Sequence, residues 1–157
     1  MQLLRAHEVA QIVDVRTVPR SRHNPQFSGD ALERSLKDEG IGYVHMAALG
    51  GFRHALKDSP NIGWRNASFK GFADHMATAT FRGGLDALMA IAARRPTAIM
   101  CAEALPWRCH RSLIADALVS RGWDVRDIMS ATNAPAHRLT PFLRVEQGEL
   151  TYPAPTT

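Results

Sequence analysis

Two cysteines and three lysines in 157 residues are what this sequence is most short of. Two thiols cannot staple a chain of this length as a disulfide framework does, so they are read as free thiols, metal ligands or reactive groups. The scarcity of lysine is not a scarcity of positive charge. Sixteen arginines bring Lys+Arg to 19 against 15 Asp+Glu, a formal net charge of +4. Arginine favours recognition of carboxylates and phosphates, because its guanidinium is a planar fork of donors where an ammonium is a hydrated point charge. Long apolar runs are missing too: none approaches the roughly 20 residues that cross a bilayer. The N-terminus also lacks an apolar signal region followed by a small-residue cleavage site. Internal repeats and low-complexity tracts are absent, while the 45% hydrophobic content is that of a globular chain. The expectation is one cytoplasmic domain spanning 1–157, with no membrane partner.

What the sequence does contain is an alternation of short apolar runs with amphipathic stretches. Ile12–Val15, Ile41–Met46, Thr97–Met100 and Val125–Met129 read as strands. Asp30-Ala-Leu-Glu33 has the form of a capping box opening a helix that stops at Gly40. Helical periodicity returns from about Phe69 to His75 and from about Leu85 to Arg94. It returns again over Ser112–Val119, where Leu113, Ile114, Ala117 and Leu118 share a face. Val145–Tyr152 reads as a small terminal hairpin. Repeated strand, helix, strand units predict an α/β three-layer sandwich, with a mostly parallel sheet and helices on both faces.

The densest group of chemically versatile side chains, Cys101, Glu103, Arg108, Cys109, His110 and Arg111, lies between the Thr97 strand and the Ser112 helix. Open α/β sheets bind ligands at such strand-to-helix turns. Parallel strands would bring Asp14, Arg16 and His45 to the same edge, so that acid, thiol and guanidinium groups surround one anionic guest. Cys101 is the preferred nucleophile, its thiolate favoured by Arg108, Arg111 or a helix N-terminus. Glu103 and Asp14 are candidate general acids or bases. The same segment also reads as a metal site of Cys101, Cys109, His110 and Glu103. Spacing argues against that, because adjacent Cys109 and His110 do not easily turn to one ion from a helix start. A packed structural turn and a non-covalent anion site complete the alternatives. No metal or cofactor is assigned.

Two loops carry weaker signals. Arg20, Arg22 and Asn24, flanked by Pro19 and Pro25, read as a phosphate-binding arm or as a solvated basic loop. Trp64 and Arg65 read as a base-stacking pair or as anchors of a long loop to the core. His45 reads as a packed core histidine or as a general base.

The strings Asp14-Val-Arg16 with Pro19 and Ser21, Asn24-Pro-Gln-Phe27, Gly40-Ile-Gly-Tyr43, Leu49-Gly-Gly51, Trp64-Arg-Asn-Ala-Ser-Phe69, and Cys101-Ala-Glu103 with Pro106 and Cys109-His-Arg111 carry a resemblance. Together, and over essentially the whole chain, they resemble a bacterial family catalogued as domain of unknown function 488. That family usually begins with a strand ending in a Gly-His-Ser type motif, whereas Met1 here falls inside what would be the next helix. The Cys101 segment is also similar to the strand, cysteine loop, arginine and helix of rhodanese and cysteine-phosphatase domains. Six residues separate Cys101 from Arg108 where those phosphatases place five, and bulky Pro106 and Trp107 replace the small residues that let amides cradle an oxyanion. The function expected is a small enzyme acting on a phosphate-bearing or otherwise anionic, nucleotide-like substrate. The alternative is a non-catalytic nucleotide or nucleic-acid binding module. The expected partner is a small anionic ligand or nucleotide, with nucleic acid in the alternative.

Overall fold

A computed structural model describes residues 2–17, 28–51, 53–101 and 109–154. A five-residue helix α1 (Gln2–Ala6) precedes β1 (Gln11–Asp14), α2 (Gly29–Asp38) and β2 (Gly42–His45). After a short 3-10 turn at Ala47–Leu49 come α3 (Ala67–His75), α4 (Ala79–Ala92), β3 (Thr97–Met100) and α5 (Arg111–Ser120). The hairpin β4 (Arg144–Glu146) and β5 (Glu149–Thr151) ends the described chain, pairing antiparallel as the sequence predicts.

The sheet is three-stranded and parallel in the order β2-β1-β3, with Asp14 opposite both His45 and Met100. All four residues of the central β1 are buried, because a parallel strand is covered on both faces. Successive side chains of a strand point to opposite sides, and here they join two separate cores. Ile12 packs with Leu32 and Leu36 of α2 and with Ile41. Val13 and Val15 pack with Phe72 of α3, Leu85 and Leu88 of α4, and Leu113 and Ile114 of α5. Helices therefore cover both faces, in the α/β layering expected from the strand and helix alternation.

Local chemistry sets most boundaries. Gly40 at φ +74° supplies the left-handed turn that ends α2, and the Ile41 N–H returns to the Leu36 carbonyl at 2.9 Å. At the other end the capping box is not made. Ser28 occupies the N-cap without a side-chain bond, and Asp30 lies inside the first turn, where its charge meets the helix dipole. Asn66 caps α3 by accepting from the N–H groups of Ser68 and Phe69. Thr78 caps α4 through the Phe81 N–H, so that helix starts six residues before Leu85. The pair Gly83-Gly84 interrupts the periodic signal without breaking the helix.

Val125–Met129 is a correction, for it does not join the sheet. Its backbone bonds run to the returning segment: Asp127 N–H to Pro135, Met129 N–H to Asn133 and His137 N–H to the Val125 carbonyl, around an isolated antiparallel bridge of Arg126 with Ala136. A nearby antiparallel partner satisfies these groups, so residues 123–128 lie beside β3 across a cleft of about 190 Å³.

Beyond that loop the chain is tied back into the core. Asp116 of α5, fully buried, accepts from the Tyr152 hydroxyl at 2.8 Å, the Thr140 hydroxyl at 2.7 Å and the Thr140 N–H at 3.2 Å, and its Oδ1 lies 2.8 Å from His137 Nε2. The Tyr152 amide donates to the Asn61 side chain at 2.9 Å.

Candidate functional site

β1 leads into α2 on one face of the sheet, and its neighbour β3 leads into α5 on the other. Adjacent strands whose continuations part to opposite faces leave a crevice at their C-terminal ends, the position at which open α/β sheets bind ligands. Here β1 ends at Asp14 and β3 at Met100, and the Val15 N–H bonds the Met100 carbonyl at 2.9 Å, carrying the ladder one step further.

On the α5 side of this crevice, two thiols and an imidazole come together. Cys101 follows β3 and packs against the larger core, while Cys109 and His110 precede the first turn of α5. The thiol sulfurs and a ring nitrogen of His110 all lie within 4.8 Å of one another. His110 Nε2 lies 3.0 Å from the carbonyl oxygen of Val15, an atom that can only accept, so this nitrogen carries the proton. Nδ1, the nitrogen left to take a proton or a metal, lies 3.4 Å from Cys109 Sγ. Phe72 holds the ring edge-on at a centroid distance of 4.9 Å. Cys109 Sγ also accepts from the Arg111 N–H at 3.4 Å. The hydrogen bond from Cys101 holds the Cys109 thiol below its ordinary pKa; burial opposes this, and the His110 ring when protonated and the Arg111 amide add to it. Adjacent positions 109 and 110 thus do turn toward a common point. Cys109 does so through its side chain at the helix entry, and His110 through a ring pinned by a strand 95 positions away.

The α2 side of the same crevice is closed by an ion pair. Arg16 Nε donates to both carboxylate oxygens of Asp14, at 2.9 and 3.1 Å, and its Nη2 reaches Oδ2 at 2.6 Å. The Tyr43 hydroxyl donates to Oδ2 at 2.6 Å. Burial pushes the Asp14 pKa up, but the bonds from Arg16 and Tyr43 outweigh it and hold the carboxyl below its ordinary range. Both side chains are nearly inaccessible, at 0% and 7% exposure, so Arg16 is directed inward at its own strand. His45 Nε2 lies 2.6 Å from the Arg16 carbonyl oxygen and fixes the chain as it leaves β1.

The expected convergence takes a different form: Asp14 and Arg16 stand on the α2 side of the sheet and Cys101 on the α5 side, so the acid and guanidinium pair with each other instead of surrounding one guest with the thiols. Asp14 alternates with Val13 and Val15, and its partner Tyr43 packs in the α2 core, whereas Cys101 packs in the core of α3, α4 and α5. The backbone of Val15 and Arg16 lies between the two sets and accepts a histidine from each. Arg111 lines the cleft beside β3. Trp64 sits among Phe69, Phe142 and Tyr152, with centroids 4.9 to 5.5 Å away, and Arg65 is exposed. Arg20, Arg22, Asn24, Glu103 and Arg108 lie outside the described residues.

Sequence reasoning missed Tyr43 and Gly51. Gly51 closes the Leu49-Gly-Gly51 string, and a Cβ built there would lie 2.6 Å from His110 Nδ1, so only hydrogen leaves that nitrogen room. The available signal was the glycine pair itself in a loop with no turn to explain it. Asp116 was missed as well, although a carboxylate inside the apolar run Leu113–Leu118 marks a buried polar group that needs partners.

Set against known proteins, residues 1–118 match the family model described as "Domain of unknown function DUF488". No curated protein and no solved structure matches the chain significantly.

Proposed function

The chain belongs to the DUF488 family, and from the geometry of its sheet rim we propose that it is a small enzyme acting on a phosphate-bearing or otherwise anionic substrate at the crevice between the ends of β1 and β3. The observation that carries this reading is the gathering of Cys101, Cys109 and His110 at the switch point of a parallel sheet, beside the first turn of α5. Thiols and an imidazole serve nucleophilic, acid–base and Lewis-acid chemistry alike. A packed structural turn needs no such convergence. Asp14, Arg16, Tyr43 and His45 act as positioning residues that hold the strand end against which His110 is set. The excess of arginine over acidic residues gives the chain a net positive charge, which favours an anionic substrate. The nucleic-acid alternative is weakened because Trp64 is packed among three aromatic rings instead of presenting a face to bases.

Phosphorus NMR of the full chain, incubated with p-nitrophenyl phosphate and a mixture of nucleoside mono-, di- and triphosphates, tests the reading. Appearance of a new phosphorus species, slowed at least about a hundredfold in Cys109→Ser, is expected for an enzyme centred here. Line broadening without product, lost as salt rises, would instead identify a phosphate-binding module. Unchanged turnover in a Cys101→Ser, Cys109→Ser double variant would overturn the proposed centre.

A further inference from the structure

We infer that Cys101, Cys109 and His110 form the protein part of a site for one zinc-type ion, open at its fourth position. The geometry comes from three parts of the chain: the end of β3, the entry of α5, and the β1 backbone that orients the ring. A tetrahedral ion with bonds of about 2.3 Å to sulfur and about 2.0 Å to nitrogen holds its ligand atoms roughly 3.5 to 3.8 Å apart. Cys109 Sγ and His110 Nδ1 stand 3.4 Å apart, and all three ligand atoms fall within 4.8 Å. Small side-chain rotations complete the set.

The imidazole is prepared as a ligand and not merely near the thiols. A metal-binding histidine generally gives its other N–H to a carbonyl or carboxylate, which fixes the tautomer and ring plane. His110 has this arrangement, with Nε2 on the Val15 carbonyl and Nδ1 turned toward Cys109, where a cation would take the place of a proton. Gly51 supplies the space, since a methyl group in its place would press on Nδ1. Two sulfurs and one nitrogen select a soft or borderline cation over magnesium or calcium, which take oxygen ligands. Cys109 is 6% exposed, so its sulfur is shielded from bulk water in the way a retained ion requires.

Three protein ligands are the number that catalytic zinc sites keep, leaving the fourth position to water or substrate. A cation here would supply the electrophile for an anionic substrate that Arg16, engaged with Asp14, does not. That role rests on the enzymatic reading above; the binding itself does not.

Titration of metal-stripped, reduced full chain with Co²⁺ tests the site. The expected result is saturation at one ion per chain, with thiolate-to-cobalt charge-transfer absorption and the visible bands of tetrahedral cobalt, displaced by Zn²⁺. Cys109→Ser, His110→Ala and Gly51→Ala should each weaken binding at least about tenfold. Zn²⁺ should also slow iodoacetamide labelling of both cysteines in the unmutated protein, a readout that does not depend on any variant folding. Absence of the charge-transfer band in the unmutated chain, or a band of undiminished intensity and affinity in Cys109→Ser, would overturn the site. Cobalt uptake without any phosphorus product would leave the ion and remove the enzyme. Full turnover in the presence of a strong chelator would remove the ion's proposed role.

Discussion

A buried charge is tolerable only when its partners are fixed, and among the described residues the two completely buried aspartates, Asp14 and Asp116, meet that need in different ways. Asp14 is held ionised by Arg16 and Tyr43. Asp116 gathers His137, Thr140 and Tyr152, and with Asp127 it determines how His137 titrates. Burial lowers the His137 pKa, but the hydrogen bond and charge of Asp116, with Asp127 behind, carry it above its ordinary value. A histidine whose pKa is higher folded than unfolded contributes stability that is complete below the unfolded value near 6.5 and disappears as pH rises through the folded one. The protein should therefore lose denaturation midpoint between about pH 6.5 and the folded pKa above it. His137→Gln should flatten that slope in urea melts collected across the range; an unchanged slope would sink the assignment. His137 offered no mechanism in the sequence because its partner lies 21 positions away on a helix whose surrounding residues are all apolar.

The elements themselves are products of short-range chemistry, which is why most were legible. The continuous apolar run Ile12–Val15 around β1, broken only by Asp14, the glycine after α2 and the capping residues before α3 and α4 are all local signals. Asn66→Ala removes the acceptor for two first-turn N–H groups of α3 and should cost about 1 kcal/mol in chemical unfolding, with Asn66→Asp close to neutral. A loss below about 0.2 kcal/mol would mean that packing of Phe72 alone sets the start of the helix. Val125–Met129 was misread for a physical reason of the same kind. Its composition suits a strand, but a strand's identity depends on which partner reaches its backbone first, and the 133–137 return is closer along the chain than β3. The beginning of α4 was hidden by two glycines whose cost the cap and the buried Phe81 and Leu85 offset.

For the molecule as a whole, the family match ends at residue 118, yet the core does not. Tyr152 is completely buried, and the three side chains that satisfy Asp116 all come from later residues. A chain cut after residue 118 would leave a carboxylate unpaired in an apolar interior and should show no cooperative melting by circular dichroism; a sharp transition in that fragment would refute the dependence. The amino-acid sequence by itself determined the buried strand at Ile12–Val15, the succession of strands and helices and the family, because each is written in neighbouring residues. It also marked the segment in which Cys101, Cys109 and His110 occur. Only tertiary structure decided that Asp14 and Arg16 close on each other on the α2 side, and that the thiols share the α5 side with a histidine held by Val15. Strand order and crossover direction choose which ends become neighbours. A contact spanning 95 residues leaves no mark in the spacing of either partner.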